Sequence, residues 1–382
     1  MPGPVEHYLA RYAESEASAS VALGRSEHQH VVVIPSYGEG ENLLEVLRSV
    51  PSRHGSVLAI VVVNARADSP GWVHESNRDT LRALKDTAFP QGELLVVDRT
   101  IDAVPLPEKQ GVGLARKIGS DIALALWDQE RVKSPFIHTT DADALLPKDY
   151  FARSSGAIKG VAALVYPFAH DAPDETAEAI AAYDKSLRYY TAGLHRADSP
   201  YAFHTVGSTL AIHAEAYAAV RGFPRREAGE DFYILNKLRK VGLVEELDGL
   251  PIHLSGRASD RVPFGTGATV RKWTAAGPAA FRTYHPRAFE HLRTWLSAST
   301  QSLRESVPID ATLTLAEEGD LLRTALRDIG ALDALERARK AATTPDARLR
   351  HFHTQFDAFR TLKLVHYLRD HGLGTVNVAD VV

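Results

Sequence analysis

Four short apolar, largely β-branched runs alternate with segments of helical apolar spacing, and that alternation limits the fold more than any other feature. The runs are HVVVIP (His30–Pro35), SVLAIVVVN (Ser56–Asn64), GELLVVD (Gly92–Asp98) and SPFIHTTD (Ser134–Asp141). Between them lie ENLLEVLRSV (Glu41–Val50, stopped by Pro51), SNRDTLRALKDT (Ser76–Thr87) and GLARKIGSDIALALWDQE (Gly113–Glu130). Near-continuous apolar strands separated by helices predict an α/β fold, a mainly parallel sheet with helices on both faces. Ligands of such sheets bind beyond the carboxyl ends of the strands. The first and fourth runs end at Ser36–Glu39 and Asp141–Asp143, so both segments belong on that edge.

Beyond residue 150 the pattern is mixed. GVAALVYPF (Gly160–Phe168) predicts a strand and Glu175–His195 a long amphipathic helix. Ser208–Val220 reads as a strand turning into a helix, and Glu230–Gly242 as a helix with two acids in its first turn. Residues 255–270 are rich in Gly, Ser and Arg and read as a functional loop. Residues 281–371 are helical again, with Pro345 a break; Phe352, Phe356 and Phe359 form a stripe of helical spacing, which predicts a buried face.

The chain of 382 residues is too long for one ordinary domain. It has no cysteine, which excludes disulfides, thiolate metal sites and a cysteine nucleophile. A net charge of −4, from 44 basic and 48 acidic side chains, gives no sign of nucleic acid or of an anionic membrane as partner. The acidic N-terminus lacks the apolar core of a signal peptide, and runs such as Val57–Val63 fall well short of the ~20 residues of a membrane helix. A cytoplasmic place is expected, at most peripheral to a membrane.

Three motifs carry candidate chemistry. In TTDADALLPKDYF (Thr139–Phe151) a strand delivers Asp141 and Asp143 to its end, where oxygen ligands suit Mg²⁺ or Mn²⁺. The triplet taken alone is better explained as a turn capping the helix near Pro147. In AGEDFYILNKL (Ala228–Leu238), Glu230 and Asp231 either complement a helix dipole or supply a general base. IPSYGEGENL (Ile34–Leu43) ends a strand in a turn carrying Tyr37 and Glu39, and alone says little.

Their order is more specific. PSYGEGENL, then DAD at a strand end, then GED opening a helix resembles the family 2 (GT-A) glycosyltransferases, with their P-x-Y-N-E start, D-x-D motif and E-D pair. GSTLAIHAEAYAAVRGFP (Gly207–Pro224) and KQGVGLARKIGSD (Lys109–Asp121) resemble further segments of that family. The resemblance covers residues 30–270. It implies a GT-A domain over 30–275, divided into a nucleotide-binding half (30–145) and an acceptor half (146–275), after a helical lead-in (1–29) and before a helical C-terminal region (276–382).

It also implies roles. Asp231 would be the base and Glu230 would orient the acceptor. Asp143 would bind a divalent metal, Mn²⁺ or Mg²⁺, with Asp141 facing the metal or the donor ribose. Pro35, Tyr37 and Glu39 would line the nucleotide pocket; Lys109, Gly111 and Arg116 would lie near the nucleotide. His253 is the candidate for a further metal ligand. Arg257 and Arg261, in the loop Ser255–Gly267, would close over the diphosphate, or else pair with Asp260 or Glu227 on the surface. Two departures stand out. The second strand ends in Asn64 where the family has an acidic base-reading turn, so uracil and guanine both stay open. Gly38 replaces the family's Asn.

The implied reaction moves a sugar from a UDP- or GDP-linked donor to an acceptor hydroxyl, with inversion. Retaining transfer, sugar nucleotidyl transfer and a catalytically decayed binding protein on the same fold are the alternatives. The acceptor is not named by any motif; His170, His195, His204 and Tyr189–Tyr190 either meet it or belong to the core. The C-terminal helices would serve as an acceptor lid, a homodimer interface or packing.

Overall fold

The computed structural model describes residues 3–20, 26–157, 159–257, 266–309, 313 and 319–382. They form two compact units, Met1–Asp174 with Thr205–Thr269, and Glu175–His204 with Val270–Val382.

The first unit is built on the expected α/β sheet. In chain order it contains α1 (Pro4–Arg11), α2 (Ser15–Ser20), β1 (His30–Ser36), α3 (Glu41–Ser49), β2 (Val57–Asn64), α4 (Gly71–Asp86), β3 (Gly92–Arg99) and α5 (Val112–Asp128). Then come β4 (Phe136–Thr139), β5 (Ala144–Leu145), α6 (Tyr150–Ser154), β6 (Val161–Val165) and β7 (Phe168–Asp171). After α7 (Ala177–Arg196), which belongs to the second unit, follow β8 (Leu210–His213), α8 (Ala214–Ala219), α9 (Glu230–Leu238), β9 (Leu243–Glu246) and β10 (Ile252–Ser255).

Seven strands pair in the order β3-β2-β1-β4-β8-β6-β9. Pairing is parallel except on either side of β8. β1 and β2 are buried along their whole length, which is why their sequences are apolar runs rather than alternations. The chain winds outward from β1 to β2 and β3, then returns to place β4 on the other flank of β1. The winding direction therefore reverses between β1 and β4, and ligands of open α/β sheets bind at such a point.

Helix α5 lies against β1, β2 and β4 and is buried from Gly113 to Leu126. Gly119 makes its close approach to the sheet possible, since a Cβ there would stand 2.3 Å from Val33 Cγ1. On α5 sits the N-terminal segment, docked rather than loose. The Tyr8 hydroxyl donates to Asp121 Oδ1 at 2.6 Å and accepts from Lys117 Nζ at 2.6 Å. Asp121 Oδ2 takes Lys117 Nζ at 2.7 Å and the Glu14 amide at 2.8 Å. A short second sheet, β5-β10-β7, completes this unit; β10 runs antiparallel to β5 and parallel to β7.

In the second unit, α7 packs with α11 (Arg287–Glu305), while α10 (Thr266–Ala276), which belongs to this unit from Val270 on, precedes the strand β11 (Arg282–Tyr284). The helices α12 (Gly319–Asp328), α13 (Ala331–Ala341), α14 (Pro345–Gln355) and α15 (Ala358–Leu368) follow, and β12 (Thr375–Asn377) pairs antiparallel with β11. Phe352 and Phe356 stack at 5.6 Å and both pack edge-on against the fully buried Trp295, while Phe359 is only partly covered. Tyr189 is core here as well, beside Phe289. Helix 177–196, expected in the acceptor half, thus shares a core with the C-terminal helices. Among the described residues no helix is long and apolar enough to cross a membrane.

Candidate active site

The ends of β1 and β4 meet because the strands pair side by side, with Val33 opposite Thr139 and the Thr140 amide donating to Val33 O at 3.1 Å. The next residue on the β4 side is Asp141. The third acidic segment arrives through α9, whose start requires Gly229 at φ 74, a left-handed turn that suits glycine.

Arg116 ties these segments together. It lies on α5 with only 2% of its surface exposed. One terminal nitrogen donates to Glu230 Oε1 at 2.9 Å and the other to Asp141 Oδ1. The Ser208 hydroxyl donates to the other oxygen, Asp141 Oδ2. The guanidinium fits only because residue 207 is glycine: a Cβ there would stand 2.4 Å from Arg116 Nη1. Thr139 Oγ1 pins that stretch by donating to Gly207 O at 3.0 Å. Burial opposes the charge on Arg116, but the carboxylates of Asp141 and Glu230 outweigh it and hold the group protonated. Arg116, expected near the nucleotide, is therefore the buried brace of the acids. Gly207 and Ser208 were legible only as part of a glycine-containing strand, with no role attached.

The two acids of α9 differ. Glu230 is buried at 4% exposure, and its Oε1 accepts from Arg116. Burial pushes its carboxyl up to about 7, against the pull of Arg116. Asp231 is partly exposed; its Oδ1 accepts from the Phe232 amide at 2.7 Å. Burial of its surroundings raises its pKa too, with that amide and Arg116 opposing and Asp141 adding to the rise.

A second arginine forms a parallel bridge. Arg257 Nη2 donates to Asp143 Oδ2 at 3.0 Å and to Glu39 Oε2. Glu39 and Asp143 come from the ends of β1 and β4, so this bridge also spans the reversal point. Desolvation and the neighbouring Asp141 raise the Asp143 carboxyl to about 6 in spite of Arg257. Arg261 lies outside the described residues.

On the β2 flank Asn64, Tyr37 and Asn77 stand beside an ion-pair group in which Arg66 joins Asp68 and Glu227. The Asn64 side-chain nitrogen donates to Ser36 O at 2.9 Å and to Val62 O at 3.2 Å. Two carbonyl partners fix the amide's orientation, which leaves Oδ1 as the group it can offer a base. Tyr37 donates to Ser69 Oγ at 3.2 Å, and the Gly38 amide to Asn77 Oδ1 at 3.0 Å. Pro35 is buried within β1. Lys109 is exposed, in a left-handed turn at φ 59. Gly111 packs on backbone: a Cβ would stand 3.1 Å from Glu227 Cα, and the amides of Gly111 and Gly113 donate to Arg226 O at 3.2 and 3.0 Å.

His253 lies on β10 opposite Leu145, and its Nδ1 is 3.0 Å from Asp171 Oδ1, at the surface. The structure does not join it to the Asp141–Asp143 pair. No group of three or more His, Asp or Glu side chains among the described residues is arranged to hold a metal by itself. Both Asp141 oxygens are occupied, by Arg116 and Ser208, whereas only Oδ2 of Asp143 is bridged. That donor set suits an ion held by one or two carboxylates and by the oxygens of a bound diphosphate, as Mg²⁺ commonly is.

No protein-family model and no curated protein matches the chain. Among solved structures it is similar to residues 1–349 of TarS from S. aureus, in complex with UDP-GlcNAc, at 12% identity over 87% of this chain and 91% of that one, TM-score 0.42. It is also similar to glucosyl-3-phosphoglycerate synthase from Mycobacterium tuberculosis, in complex with Mn²⁺, UDP and glucosyl-3-phosphoglycerate, at 15% identity over 63% of this chain and 73% of that one, TM-score 0.35. At these identities and scores nothing about this chain's reaction follows from either.

Proposed function

We propose that the protein is a glycosyltransferase of the GT-A type, moving a sugar from a nucleoside diphosphate to an acceptor hydroxyl with inversion. One observation carries the reading: acids far apart in sequence, Asp141 and Glu230, share a single buried guanidinium at the point where the strand order reverses. A fold with no use for a charged cluster there gains little from burying one, because a buried ion pair is weak evidence of stability.

In this reading the base lies on the β2 side, near Tyr37 and Asn64, and the diphosphate lies toward Asp143 and Arg257. A divalent ion, when bound with the donor, would be held by Asp143 with help from Asp141 and would supply charge neutralisation for the leaving diphosphate. Arg257 offers paired donors to the same oxygens once it releases Glu39 or Asp143. Asp231 accepts the proton of the acceptor hydroxyl as that oxygen bonds to the anomeric carbon and the carbon–phosphate oxygen bond breaks on the opposite face. Its partial exposure and its distinct environment from Glu230 support this division of labour: Asp231 reaches the acceptor, and Glu230 acts through Arg116.

Because the Asp231 pKa is raised, its base form grows as pH climbs, and kcat/KM should rise through that pKa to a plateau. The test is Asp231→Asn, assayed by release of UDP or GDP from sugar donors and by NMR of the product's anomeric configuration. Transfer should fall about 10²–10⁴-fold with the melting temperature kept. Turnover at the wild-type level would overturn the assignment of the base.

A further inference from the structure

We propose that Trp72 is the platform on which the donor's nucleobase stacks, an inference that rests on the function proposed above and adds a specificity residue to it. Trp72 stands in the first turn of α4. It is 52% exposed, and it is the one aromatic among the exposed large apolar side chains of the described residues. No other ring stacks on it among those residues.

Its position follows from the turn after β1. Gly38 has φ +64, and a Cβ on it would stand 2.7 Å from Trp72 Cζ3 and 3.3 Å from Cη2. The six-membered ring of the indole thus rests on the Gly38 backbone. Three further contacts fix this arrangement. Gly38 N donates to Asn77 Oδ1 at 3.0 Å, Asn77 Nδ2 donates to Asn64 O at 2.9 Å, and Tyr37 donates to Ser69 at 3.2 Å. The loops after β1 and β2 are therefore stitched into one surface, with the indole at its open side and the Asn64 carboxamide at its floor.

This also explains the departure at residue 38. A side chain there would be strained by the left-handed backbone and would displace the indole. Since the acids lie on the β4 side of β1, a nucleotide with its phosphates there directs its base toward the β2 side, where Trp72 stands. A flat apolar ring with a free face suits any base by stacking. The Asn64 Oδ1 acceptor adds a preference for one with a ring N–H, such as uracil or guanine.

The experiment is calorimetric titration of UDP, GDP and inorganic pyrophosphate, each with Mn²⁺, into wild type, Trp72→Phe and Trp72→Ala. Trp72→Ala should bind the tighter nucleotide about ten- to hundred-fold more weakly, with pyrophosphate affinity and melting temperature unchanged. Trp72→Phe should recover most of the loss. Equal nucleotide affinity in Trp72→Ala, or an equal loss for pyrophosphate, overturns the platform and leaves the glycosyltransferase reading standing. Wild type that binds neither UDP nor GDP overturns both.

Discussion

Two arginines do similar work in different surroundings. Arg116 joins Asp141 to Glu230 with 2% of its side chain exposed; Arg257 joins Asp143 to Glu39 with 32% exposed. Coulomb attraction strengthens as water is excluded, and so does the penalty for an unmatched charge. The buried bridge is accordingly a fixed part of the fold. The open bridge can exchange partners with a ligand, and Asp143, raised to about 6 even beside Arg257, still lacks full compensation. One cation organises the acids and the other keeps a place that substrate chemistry can take over.

The harshest challenge to this contrast is Arg116→Met. It should cost about 3–5 kcal/mol of stability by thermal or urea unfolding and abolish transfer, because Glu230 is left buried and unpaired. Adding Glu230→Gln should restore part of the stability without the activity. An Arg116→Met protein as stable as wild type would remove the distinction between the bridges.

Arg257→Gln should behave oppositely. Stability should change by under about 1 kcal/mol, as for other open pairs. The KM for the donor should rise about tenfold, while Mn²⁺ binding without nucleotide, followed by calorimetry, should tighten because Asp143 loses its competitor. A large drop in melting temperature would mean that this bridge is as structural as the first.

The pH dependence sharpens the same point. Glu230 moves from 4.5 to about 7 and Asp143 from 3.8 to about 6 on folding, so the folded state holds protons more tightly. The stability these protonated groups contribute is complete below the unfolded values and is lost as pH rises through the folded ones. Buried His138, pushed down to about 3, acts with the opposite sign over the same range, so the share of the acids is read as a difference between variants. Between pH 5 and 7.5, Glu230→Gln should lose less stability than wild type, or gain more; a profile identical to wild type would place the titrating group elsewhere. His253→Ala is the smallest test: with its ring against Asp171, it should leave both melting temperature and metal dependence at wild-type values.

The sheet was readable because strands buried on both faces leave unbroken apolar runs, as in Val57–Val63, and the helices between them keep their period. The acids of the candidate site could be picked out because Asp141, Asp143, Glu230 and Asp231 stand at element ends. What stayed hidden depends on contacts between distant residues. Nothing local marks Arg116 as a buried bridge instead of a surface cation, because its partners are 25 and 114 positions away. Tyr8 likewise looked like part of a polar lead-in until Asp121, 113 residues on, supplied its buried partner. The small sheet that carries His253 pairs strands of two to four residues, too short to show a period.

The turn from Pro224 to Glu227 hangs from the start of α5 by two hydrogen bonds, donated by the amides of Gly111 and Gly113 to Arg226 O. Neither hydrogen can leave for solvent deuterium unless that suspension lets go. Their exchange rates therefore form a clock for the lifting of the segment that leads to Glu230 and Asp231, readable in solution on a protein to which nothing has been added. A donor that slowed both hydrogens together would be acting on that hinge without touching either glycine.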